Sequence, residues 1–170
     1  WLTGDKTPHS PFQDFWRISV TDGTRALVAA FFAVAIAIIR LALIALRAEP
    51  GTPARLVAEL RLAQFAALVL VLSAGTYIGS ALTQDPTTGS GLDVALAVGF
   101  LILAAVAVNQ DPRLALTLLA GAFVAHAAID LLHGSGALPG EALPQWYART
   151  RAIYDVALAA VCYVPILRRP

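Results

Sequence analysis

Three residues of one apolar stretch, His126, Asp130 and His133, carry most of the chemistry this sequence offers. They stand at i, i+4 and i+7, which on an α-helix places them on one narrow face in successive turns. Asp155, with Arg149 and Arg151 just before it, lies in the next apolar stretch. At about 1.5 Å of rise per residue, His126 sits roughly 10 Å deeper than His133, and Asp155 roughly 13 Å beyond Trp146. If the two stretches are antiparallel helices, Asp155 comes level with His126, and Arg149 or Arg151 with Asp130.

Such a cluster supports three kinds of chemistry. Two His and one or two carboxylates suit zinc or non-haem iron. The stripe is about 10 Å long, so one ion can take only two adjacent ligands from it, plus Asp155. The second kind is a buried polar network without catalysis. There Asp130 pairs with Arg149 or Arg151, Asp155 pairs with Arg151, and His126 donates to Asp155 or to a carbonyl. The third is a proton or cofactor site. A bis-His haem needs a histidine on a facing helix, and the remaining one is His9 near the N-terminus. One axial His to a chlorophyll-type pigment remains open. Of the other ionisable groups, Arg40 lies well inside an apolar stretch and Asp93 at the edge of one.

The run His126-Ala-Ala-Ile-Asp130-Leu-Leu-His133, followed by Pro144-Gln-Trp146-Tyr147 and then Tyr154-Asp155, resembles a pattern in small uncharacterised bacterial multi-pass membrane proteins. Those carry His-x-x-Trp-Asp-x-x-His-His, a loop with Pro-x-Trp, and a final helix bearing an Asp. Ile129 stands here in place of the Trp and Gly134 in place of the last His. The resemblance implies a shared arrangement of the last two helices and no particular reaction.

The elements that must position these residues are apolar throughout. Of 170 residues 58% are hydrophobic and 14% charged, with a formal net charge of +1 and a mean hydropathy of +0.72. That composition excludes a disordered chain, and the charge is too small for a nucleic-acid partner. A single cysteine, Cys162, excludes a disulfide scaffold. A helix needs about 20 apolar residues to cross a bilayer. Spans are expected over 26–47, 60–83, 92–109, 113–133 and 147–167. Pro and Gly clusters at Pro50-Gly51, Pro86 to Gly91, Pro112, Gly134 to Gly136 and Pro139-Gly140 separate them. The expected fold is therefore an all-α integral membrane bundle of five transmembrane helices, residues 26–170 forming one domain in the lipid bilayer. Residues 1–25 form an extramembrane segment, in which 11–20 read as a short interfacial helix capped by Ser10-Pro11. The order of its apolar and charged residues is not that of a signal peptide.

Arg47, Arg55, Arg61, Arg113, Arg168 and Arg169 fall on one side of such a bundle. Lys6, Arg17, Arg25, Arg149 and Arg151, one fewer, fall on the other. The bias places the N-terminus outside and the C-terminus in the cytoplasm, in a bacterial inner membrane. Trp16 and Trp146 share one face, as an interfacial belt does. Gly75-x-x-x-Gly79 and Gly121-x-x-x-Ala125 are small-residue pairs that allow close helix approach, within the chain or to a partner. Two functions follow as expectations. One is a non-catalytic accessory subunit of a larger membrane complex, respiratory or photosynthetic, with other membrane subunits as partners. The other is a small membrane enzyme or metal-binding protein whose site is formed by His126, Asp130, His133 and Asp155.

Overall fold

In a computed structural model of the chain, residues 11–83, 90–138 and 145–168 are described. They form five helices: α1 (Pro11–Arg47), α2 (Pro53–Thr83), α3 (Ser90–Ala107), α4 (Pro112–Gly134) and α5 (Gln145–Leu167). There is no strand among the described residues. Four stretches are long and apolar enough to cross a membrane: Arg25–Arg47, Pro53–Leu82, Pro112–Gly134 and Tyr147–Leu167. The fifth, Gly91–Ala107, is equally apolar in character but shorter.

The chain divides into two compact units, residues 1–36 and 37–170. In the first, α1 runs from Pro11 without the break expected before residue 26. No proline lies in Asp22-Gly23-Thr24, and one glycine costs a helix only about 1 kcal/mol, so the turn propensity there does not end it. Ser10, the expected cap, and the side chain of Trp16 lie outside the described residues.

The second unit holds the rest. Helix α4 packs most extensively on α5 and also touches α2 and α3. Small side chains make these approaches possible: Ala63, Ala66, Ala74, Ala97, Ala115, Ala122, Ala127 and Ala152 are all buried. Phe123, Leu62, Leu70, Leu116 and Leu119 fill the space between them. Large apolar residues such as Leu68, Leu72, Ile102, Val124 and Ile153 point outward, the reverse of a water-soluble bundle and the pattern of a lipid-facing surface.

Helix ends are set locally. Asp111 caps α4 by accepting from the backbone N–H groups of Arg113 and Leu114, both at 3.1 Å, with Pro112 at the first helical position. Gly136, at φ 75°, closes its other end. Gly51, at φ 79°, turns α1 into α2, which starts at Pro53 rather than near residue 60. The extra two turns of α2 carry Arg55 and Glu59, which are buried and bonded to each other at 2.8 Å. Arg55 Nη2 also donates to the carbonyls of Pro165 at 2.8 Å and Arg168 at 3.2 Å, closing the C-terminal end of α5. In the sequence Arg55 counts only as an orienting charge between two spans.

Candidate functional site

The site forms where α2, α4 and α5 meet near one end of the bundle. His126, Asp130 and Asp155 are completely buried. His126 Nδ1 lies 2.7 Å from Asp155 Oδ2 and 3.4 Å from Asp130 Oδ2. The level predicted from helical rise is therefore met across α4 and α5. One ligand atom from each of these three residues lies within 4.8 Å of the others.

Arg151 organises the cluster. Its Nη2 donates to His126 Nε2 at 3.0 Å and to the Ser73 carbonyl at 2.5 Å, and its Nη1 donates to the Thr76 hydroxyl. Its Nε stands 3.6 Å from Asp130 Oδ2. A guanidinium only donates hydrogen bonds. Nε2 of His126 must therefore accept, and the ring proton must sit on Nδ1, pointing at the two carboxylates. His126 is thereby held as the neutral Nδ1–H tautomer. Of the two arginines offered by the sequence, Arg151 enters the network, while Arg149 is exposed. Two positions along a helix turn a side chain by about 200°, which separates them.

Tyr77, on α2, also belongs to the cluster. Its hydroxyl donates to Asp130 Oδ1. Its ring lies 5.4 Å from the His126 ring and 5.8 Å from the His133 ring, with the Arg151 guanidinium 5.1 Å from its centroid. Phe100 of α3 covers His126 at 4.8 Å. The only sequence signal for Tyr77 is a phenol within a mostly apolar span.

His133 does not join the three-residue group. It belongs to a second pair, with Nε2 2.9 Å from Asp93 Oδ1 of α3. Its Nδ1 donates to the Ile129 carbonyl at 3.0 Å, one turn back. The four candidate residues thus split into two neighbouring sets, as the length of the stripe requires, because His133 lies two turns from His126.

The cluster is not fully satisfied. Asp130 Oδ2 and Asp155 Oδ1 are buried without a hydrogen-bond partner. With His126 neutral, two carboxylates face one guanidinium, leaving one negative charge in an apolar interior. Such a charge is costly unless a cation compensates it.

The expected close-packing glycines meet no neighbouring helix among the described residues. A Cβ added at Gly75, Gly79 or Gly121 would meet nothing within 4 Å. Cys162 is buried and free. Pro144 of the resemblance, and the side chain of Trp146, lie outside the described residues. No protein-family model matches the chain, and no curated protein or solved structure matches it either.

Proposed function

We propose that this chain is an integral membrane protein that crosses the bilayer five times and takes up one proton at an internal centre built from His126, Asp130, Asp155 and Arg151. One observation carries the reading. Two buried carboxylates with unpartnered oxygens share a site with one arginine and a histidine held neutral. Two such carboxylates within a few ångströms favour sharing a proton, since both cannot ionise cheaply. Ionisable residues inside a membrane bundle are costly and mark function. With α3 as the short fifth span, the centre lies toward the outer face and the C-terminus lies in the cytoplasm.

A zinc or iron ion is the other cation that would compensate the charge. It would use His126 Nδ1 together with one oxygen from Asp130 and one from Asp155. Binding requires the ring proton to move to Nε2, which Arg151 Nη2 faces at 3.0 Å. Two donors would then oppose each other, so the arrangement around Arg151 favours the proton. Infrared titration of the purified protein tests the choice. Between the protonated and deprotonated forms, a carboxylic C=O band should appear that Asp155→Asn or Asp130→Asn abolishes. Absence of that band, together with stoichiometric metal that His126→Ala releases, would replace the proton reading with the metal one.

A second reading, a subunit within a larger membrane assembly, is supported by the outward faces of Gly75, Gly79 and Gly121. The two are compatible, since one concerns the interior and the other the surface.

A further inference from the structure

The proton-binding centre is sealed by the bundle, so a proton must reach it by a defined route. We propose that Asp93 and His133 form the port through which the centre exchanges its proton, with the Tyr77 hydroxyl as the connection. The inference rests on the proton-binding reading above.

Position supports the port first. Asp93 lies in the first turn of α3, and His133 in the last turn of α4. Both are at the end of the bundle where α4 gives way to the exposed turn Ser135–Ala137. The His133 side chain retains 10% exposure, whereas those of His126 and Asp130 retain none. His133 is therefore the member of the set that solvent can touch.

Chemistry supports it next. The Ile129 carbonyl fixes a proton on His133 Nδ1. Nε2 and Asp93 Oδ1 then stand 2.9 Å apart, and neither has a well-directed hydrogen bond. An imidazole nitrogen and a carboxylate oxygen at that separation are near enough to hand a proton from one to the other. The pair can thus accept a proton from water and pass it on. The groups facing His133 are Tyr77 from α2 and Asp93 from α3. On its own helix Asp130 lies one turn back, and α5 brings Arg149 beside Gly134, where an added Cβ would stand 3.9 Å from Arg149 Cγ.

Tyr77 joins the two sets. Its ring contacts both histidines, and its hydroxyl already donates to Asp130 Oδ1. In the transfer, Asp130 takes the hydroxyl proton as the phenolic oxygen receives another from the port side, through water admitted at His133. One O–H bond forms at Asp130, one breaks and one forms at Tyr77, and one N–H or O–H bond breaks at the port. The tyrosine ends neutral, no electron moves, and the net change is one proton moved inward.

Deuterium exchange at the centre tests this. The purified protein is moved rapidly into D2O, and the shift of the carboxylic C=O band assigned to Asp130 and Asp155 is followed in time. Tyr77→Phe and Asp93→Asn should each slow that shift about a hundredfold, the size of effect that a positioned proton-transfer group commonly supplies. A merely structural role would change how much of the band is present at a given pH without slowing its exchange. Unchanged rates in both variants, with the band intact, overturn the port and leave the centre standing. Slowing in Tyr77→Phe alone also overturns it, since Asp93 then plays no part. If Asp93→Asn does not fold, His133→Gln reads the same pair. A wild-type band that neither Asp130→Asn nor Asp155→Asn removes refutes the centre itself.

Discussion

Arg151 decides what the buried cluster is. It makes four polar approaches, to His126, Asp130, Thr76 and Ser73, and so ties α5 to both α2 and α4. Removing one partner of a buried charge network costs about 3–5 kcal/mol, because the opposite charges are left without compensation. Arg151→Leu should therefore lower thermal stability in detergent by most of that amount. Arg151→Lys keeps the charge but loses the planar fork, so it should fall between the two. Equal melting temperatures for all three proteins would show that the network contributes nothing to the fold. Much of this cluster is legible in the sequence. Helical spacing puts His126 and Asp130 on one face, and helical rise brings Asp155 level with His126. Spacing does not say which of Arg149 and Arg151 points inward, since that depends on the rotation of α5. Nor does it reveal Tyr77 or the partner of His133, because their helices are brought alongside α4 only by tertiary packing.

At the scale of elements, the outer faces of α2 and α4 carry glycines against which no other helix packs among the described residues. A glycine inside a helix lowers its intrinsic stability by about 1 kcal/mol relative to alanine. The chain's own packing does not explain that loss at Gly79. A partner helix approaching closely would explain it. Gly79→Leu adds a side chain into open space and removes the helix cost of glycine, so the single chain should melt at the same or a slightly higher temperature. In mild detergent, however, any larger assembly that the wild-type chain forms should dissociate. A wild-type preparation that is already a monodisperse single chain would remove the subunit reading. The small-residue pairs themselves were plain in the sequence, but their direction was not. Alanine is so frequent in these spans that every face looks capable of close approach. The start of α2 was likewise hidden, since the sequence offers Arg55 only as an orienting charge, and its burial through Glu59 and the carbonyls of Pro165 and Arg168 is a matter of tertiary packing.

Across the whole molecule, the two ends of the bundle differ in kind. At one end Arg55 and Arg113 flank Glu59, and Arg55, Arg113 and Arg168 donate to the carbonyls of Pro165, Arg168 and Leu46 respectively. At the other lie Tyr77, Asp93, His133 and Arg151, leading inward to the buried carboxylates. This grouping follows from α2 to α5 running alternately up and down, which their short connections and shared end contacts require. If α3 and α4 both cross the membrane, the turn at Asn109 and the turn at Ser135 must lie on opposite sides of it. Both residues are exposed and sit in turns outside the helices. Cys162 is buried, so with Cys162→Ser it can be removed as a background thiol. Asn109→Cys should then react with a membrane-impermeant maleimide only from the cytoplasmic side, and Ser135→Cys only from the outside. The arginine bias sets that direction, since Arg47, Arg55, Arg61 and Arg113 share the Asn109 side. Labelling of both from one side would mean that α4 does not span the membrane. Its buried His126 and Asp130 would then have to be explained without a bilayer around them. Labelling of each from the side opposite to that stated would keep five spans and invert the molecule. The proton port would then open to the cytoplasm.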